Sequence, residues 1–131
     1  MASVFSKIIA GELPARFVHQ DDRAVAFLTI APLRPGHTLV VPREEIDDWL
    51  DLPPDLNAHL FGVAQRIGQA LKRAFPARRV GMIIAGLEVP HAHLHLVPFD
   101  HESELQFSRV DHNPDPADLD AAAERIRAEL G

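Results

Sequence analysis

A chain of 131 residues has room for one domain with its own core, and 47% hydrophobic against 24% charged residues is an ordinary soluble globular balance. It contains no cysteine, which excludes disulfides, thiolate nucleophiles and cysteine-ligated zinc. The formal net charge of -6 argues against a polyanion such as duplex DNA as the main partner, since that binding needs a basic face, but leaves a small nucleotide open.

The opening MASVFSKIIAGELP lacks the basic start and long apolar core of a signal peptide. No apolar stretch approaches the roughly 20 residues that span a bilayer, so a cytoplasmic protein without a membrane partner is expected. Residues 4–9 are apolar and end at Gly11 and Pro14, which predicts a turn or two of helix. Two β-like runs, residues 15–19 and 24–30, flank Gln20-Asp21-Asp22-Arg23 and predict an antiparallel hairpin. A third strand is expected at residues 37–41, between Gly36 and Pro42. After Pro53-Pro54, apolar residues at Leu56, Leu60, Val63, Ala64, Ile67, Leu71 and Ala74 mark one face of a helix that ends before Pro76. Strands are expected at residues 80–85 and 91–99, and a loop at 100–114. The tail predicts a helix with Asp115 as N-cap, Pro116 in first position, and Leu119, Ala122, Ile126 and Leu130 along one stripe. Short consecutive strands with helices between them suit an α+β domain better than a βαβ repeat.

His91, His93 and His95 alternate with Ala92, Leu94 and Leu96. On a strand that spacing puts the imidazoles on one face and the apolar residues on the other. Three readings fit. One is the polar edge of an amphipathic strand. A second is a metal site, but the outer two imidazoles would start roughly 13 Å apart, so only a His-x-His pair with a distant carboxylate could close on one ion. The third is nucleophilic catalysis, in which a neutral central imidazole attacks phosphorus while its neighbours set its tautomer and donate to phosphoryl oxygens.

His91-Ala92-His93-Leu94-His95-Leu96-Val97 resembles the motif of the histidine triad (HIT) family, in which histidines alternate with apolar residues. VFSKIIAGELPA is similar to that family's N-terminal element, and DDRAVAFLTIAPLRPGHTLVVPR to its hairpin and following strand. The similarity runs from about residue 4 to 99, leaving the loop and helix of 100–131 outside it. It implies an α+β domain with a five-stranded antiparallel sheet, paired as a homodimer; with the helices read above, a single domain of residues 1–131 is expected, with one long central helix, a short N-terminal helix and a C-terminal helix. It also implies cleavage of a nucleoside monophosphate, typically AMP, from phosphate, amine or a second nucleotide. His93 would be the nucleophile, His95 would touch phosphoryl oxygens, and His91 would orient its neighbour.

Matching positions make Phe5, Ile8, Phe27, Ile30, Leu39 and Val89 walls of a base and ribose pocket, though plain core packing explains the same residue types. His37 would support a triad histidine from behind or be a structural histidine. His19, His59, His101 and His112 are expected at the surface. The chain also departs from the family pattern. Ser3-Val4-Phe5-Ser6 and Glu45 stand where many bacterial relatives carry zinc-binding cysteines and a histidine, so neither a metal nor another cofactor is expected. Thr29 replaces an acidic residue that holds the ribose, and Ala85 replaces an asparagine that contacts phosphate. In the shortened loop Gly86-Leu87-Glu88-Val89-Pro90, Glu88 is a general acid or acid–base partner for His93, or else a solvated carboxylate. The alternatives are therefore an enzyme working through His93, a dimeric nucleotide-binding module with weak turnover, and a hydrolase whose histidine pair holds a metal.

Overall fold

The computed structural model describes residues 2–131. The expected hairpin forms between β1 (Phe17–Gln20) and β2 (Ala24–Leu28), with a bulge between Phe17 and His19. The next strand, β3 (Thr38–Pro42), pairs along the whole of β2, and β5 (Leu94–Phe99) lies between β3 and the edge strand β4 (Arg79–Ile83). The result is one five-stranded sheet in the order β1-β2-β3-β5-β4, with every pairing antiparallel.

Period-two alternation divides the core. Ala24, Ala26, Leu28, Val40, Leu94 and Leu96 face a large cluster built with the helices, whereas Val25, Phe27, Leu39 and Val41 join Phe5 on the other side. Both faces of β2 and β3 are therefore covered, which is why these strands read as unbroken apolar runs.

The long helix α2 (Pro54–Ala74) starts on a proline, whose missing N–H is no loss in the first turn, and ends where Phe75 turns extended before Pro76. It buries Leu56, Leu60, Val63, Ala64, Ile67, Ala70, Leu71 and Ala74. The C-terminal helix α3 (Pro116–Leu130) is capped by Asp115, whose carboxylate accepts from the Ala117 N–H. Its stripe Leu119, Ala122, Ala123 and Ile126 packs on α2 and β1 of its own chain, and Arg127 donates to the Phe17 carbonyl at 2.8 Å. Arg125 lies 4.4 Å from the centre of the Phe75 ring and donates to the Ala74 carbonyl. On the opposite face, α1 (Val4–Ile9) is capped by Ser3 and buries Phe5. Among the described residues no helix is long and apolar enough to cross a membrane.

The first, third and fourth strands shift by one or two residues from the sequence reading, and three other differences bear on the site. The last strand begins at Leu94 instead of His91, because the backbone before it hydrogen-bonds to a loop: Ala92 N–H donates to the Ile46 carbonyl at 2.7 Å. The second strand stops at Leu28, where Thr29 N–H donates to the His37 carbonyl and the chain turns away. Residues 100–114 contain two 3-10 turns, Glu102–Leu105 and Phe107–Arg109. Gly36 has φ +91, and a Cβ on it would stand 2.7 Å from the Phe75 ring, so this turn requires glycine.

Candidate active site

The β3–β5 register puts Leu39 opposite His95, and His37, one residue before β3, reaches the same imidazole. Backbone partners assign the tautomers, because an N–H can only donate and a carbonyl can only accept. Leu33 N–H donates to His37 Nδ1 at 2.9 Å, so the His37 proton is on Nε2, which donates to His95 Nδ1 at 2.9 Å. The proton of neutral His95 is then on Nε2. His93 Nδ1–H donates to the His91 carbonyl at 2.7 Å, leaving a lone pair on His93 Nε2. His91 Nε2–H donates to the Pro42 carbonyl at 2.8 Å, so its Nδ1 accepts from the Ser3 hydroxyl at 2.7 Å. The His93 and His95 rings meet at a tilt, 4.8 Å between centres.

Electrostatics keep these imidazoles neutral. Burial, reinforced by repulsion from His95 and His93, lowers His37 from its ordinary 6.5 to about 3. Burial and then repulsion from His93 lower His95 to about 4. Burial is also the largest influence on His91 and His93, and both lie below the ordinary value. The site thus offers an unprotonated ring nitrogen on His93 beside a ring N–H on His95, which is a nucleophile next to a donor for an anion.

Phe5 packs edge-on against His93, with centres 4.9 Å apart, and also touches His91 and Phe27. Phe17 continues the aromatic wall from Phe27. Of the expected pocket residues, Phe5, Ile8, Phe27, Leu39 and Val89 share one apolar cluster. Ile30 does not join them: with β2 ended at Leu28, it is 73% exposed. The Thr29 hydroxyl accepts from Ala31 N–H at 3.1 Å and keeps its own proton to donate. Glu88 lies exposed on the loop of residues 86–90, and its charge acts on His93 through space. Both ring nitrogens of His91 are engaged, and among the described residues no group of three or more His, Cys, Asp or Glu is arranged to hold a metal ion.

A family model described as the HIT domain matches residues 10–102. The chain is 40% identical over 102 residues to a HIT-like protein of Borreliella burgdorferi, covering 72% of this chain and 73% of that one. The chain belongs to the HIT family. Its fold is similar to that of a Zn-bound histidine triad family protein from Mycobacterium smegmatis, with 32% identity, a TM-score of 0.85, and coverage of 99% of this chain and 94% of that one. It is also similar to a hypothetical histidine triad nucleotide-binding protein from Sulfolobus tokodaii strain7, at 26% identity and a TM-score of 0.84, covering 96% and 90% of the two chains.

Several contacts around the HIT triad carry no signal in the motif. Phe107, in the stretch expected to be plain loop, packs on His95 with ring centres 4.8 Å apart. That stretch is tied to the loop carrying His37: Arg34 pairs with Glu104, and Asp111 N–H donates to the Pro32 carbonyl at 2.9 Å. Glu45 accepts from Ser3 N–H at 2.6 Å and from the Ser6 hydroxyl at 2.7 Å, and these bonds, the first above all, hold its carboxyl at about 2. His19 and His59 are not free surface residues. Both are half-buried and bond the same oxygen of Asp21, at 2.7 and 2.9 Å. Burial works against the Asp21 charge, but the bonds from His19, the Arg23 and Ala24 amides, and His59 prevail and keep this carboxyl below the usual range. His101 and His112 are exposed as expected.

Proposed function

We propose that this HIT protein is a nucleotidyl hydrolase or transferase that cleaves a nucleoside monophosphate, AMP in the first instance, from phosphate, amine or a second nucleotide. The observation that carries the reading is the free lone pair of His93 Nε2 beside the N–H of His95. In the first step that lone pair forms a nitrogen–phosphorus bond as the bond from phosphorus to the leaving group breaks. The leaving group takes the bonding electrons and a proton, and Glu88 is the proposed proton carrier. His95 Nε2–H donates to a phosphoryl oxygen as charge is redistributed. His93, now bonded at Nε2 and protonated at Nδ1, is cationic, and the His91 carbonyl steadies that charge. Water then attacks phosphorus, the nitrogen–phosphorus bond breaks, the electron pair returns to Nε2, and the proton of the water is released. Another acceptor in place of water gives transfer.

The cluster of Phe5, Ile8, Phe27, Leu39 and Val89 is the proposed base and ribose pocket, with the Thr29 hydroxyl free to donate to the ribose. The edge strand β4, and a groove between it and α2 lined by Phe61, Gly62, Gln65, Gly68, Val80 and Met82, support a homodimer that continues the sheet across two copies. Sedimentation at micromolar concentration tests the dimer. The test of the chemistry is AMP release from AMP phosphoramidates and dinucleoside polyphosphates, with trapping of the labelled enzyme. His93→Ala is expected to lose both signals, and release at the wild-type rate would refute the nucleophile assignment.

A second reading is a binding module with little turnover, favoured by the exposed negative charge of Glu88 close to His93, which repels a phosphate. Calorimetry showing tight nucleotide binding with no AMP released over hours would select it.

A further inference from the structure

We propose that Ser3 and Glu45 are positioning residues for His93, acting through His91. The inference rests on the nucleophile reading above. It starts from His91, fully buried and linked to His93 by its own carbonyl, which accepts the Nδ1–H that keeps the His93 lone pair on Nε2. A shift of the His91 backbone therefore moves the acceptor that fixes the His93 tautomer, and the bonds to the His91 ring anchor that backbone.

Two bonds hold the His91 ring. Nε2–H donates to the Pro42 carbonyl at the end of β3, and Nδ1 accepts from the Ser3 hydroxyl. A hydroxyl has a single hydrogen, and the Ser6 N–H already donates to the Ser3 oxygen at 3.0 Å, so the Ser3 hydrogen is aimed at His91. The Ser6 hydroxyl is 3.5 Å from the same nitrogen, but its hydrogen is engaged by Glu45 at 2.7 Å, so it does not compete.

Glu45 completes the frame. One carboxylate oxygen accepts both Ser3 N–H and Ser6 Oγ–H, tying the first turn of α1 to the loop after β3. The same turn carries Phe5, whose ring packs on both His91 and His93. Ser3 and His91 are 88 residues apart, and Ser3 and Glu45 are 42 apart, so the carboxylate joins three separate pieces of chain behind the nucleophile. A buried imidazole with one polar partner removed can rotate and let the backbone that carries it shift, and a neutral His93 whose Nδ1–H loses the His91 carbonyl can place its proton on Nε2, where it cannot attack.

The test compares Ser3→Ala, Ser3→Thr and Glu45→Ala with wild type, by saturation kinetics of AMP release and by imidazole nitrogen NMR of the substrate-free protein. Ser3→Ala and Glu45→Ala are expected to lose roughly tenfold in kcat with KM changed less than about twofold, the size of one hydrogen bond lost behind the reacting group. Their His93 nitrogen shifts move toward a mixture of tautomers, whereas Ser3→Thr, which keeps the hydroxyl, restores both kcat and the wild-type shifts. Wild-type kcat and unchanged His93 shifts in both alanine variants would overturn the inference. His93→Ala is run beside them. If it turns over normally, the nucleophile reading fails. If it is inactive while Ser3→Ala and Glu45→Ala match wild type, only the positioning role fails. If wild type shows no turnover, the nitrogen shifts alone decide, because they need no substrate.

Discussion

Lowering the pH from 7.5 to 5.0 is expected to destabilise the fold through the imidazoles behind and within the triad. Against an ordinary value of 6.5, folding holds His37 at about 3 and His95 at about 4. Between those limits the unfolded chain binds protons that the folded chain refuses. Stability is therefore complete above 6.5 and declines as pH falls through the window. Each pH unit below 6.5 removes about 1.4 kcal/mol per imidazole, so at pH 5.0 His37 alone removes about 2 kcal/mol. His95 is partly exposed, and with its share halved for solvent screening the pair removes about 3 kcal/mol. His91 and His93 are lowered in the same direction and add to the loss. Against a typical domain stability of about 5–15 kcal/mol this is a large fraction. The assay is urea unfolding at pH 7.5, 6.5, 5.5 and 5.0, followed by far-UV circular dichroism and by the single tryptophan, Trp49. The same series on His37→Gln isolates one group: its pH-dependent loss should be smaller than that of wild type by about 2 kcal/mol. Equal or greater wild-type stability at pH 5.0 than at 7.5, or an undiminished slope in His37→Gln, would refute the account of neutral buried histidines.

Three more outcomes follow from the same geometry. His95→Ala removes the ring N–H beside the nucleophile and is expected to lower kcat by about 10²-fold with a small change in KM, measured on an AMP phosphoramidate. Because burial holds His93 below its ordinary value, the acid limb of kcat/KM should lie below pH 6.5, as a pH–rate profile would record. Gly36→Ala combines a left-handed backbone with a Cβ 2.7 Å from the Phe75 ring. Its urea midpoint should report a loss of about 2 kcal/mol or more.

The parts of the fold that could be read from the chain are those whose signal is local. The stripe from Leu56 to Ala74 and the Asp115-Pro116 start specify helices through contacts within a few residues, and both form as expected. The alternation around the triad also holds, with Ala92, Leu94 and Leu96 entering the helix-side core while Phe5 touches the His91 and His93 rings. It holds even though regular pairing begins only at Leu94. The shortfall came where partners lie far apart in sequence. The run of residues 24–30 gave no sign that β2 ends at Leu28, which leaves Ile30 exposed and outside the cluster of Phe5, Phe27 and Leu39. Phe107 carries no periodic signal, and only the pairing of Arg34 with Glu104 shows why its stretch lies beside His95. His19 and His59 looked like separate surface residues until the hairpin turn and α2 delivered them to one oxygen of Asp21.

By itself, then, the sequence determined the α+β class, the HIT motif and the alternation of His91, His93 and His95, because residue type and short-range spacing suffice for those. Tertiary structure decided their chemical state. Which nitrogen of His93 is free depends on the His91 carbonyl, and the donor on His95 depends on His37, 58 residues away. A tautomer is set by the partner a ring nitrogen meets and a pKa by how much water is excluded around it. Both exist only once distant segments have packed together.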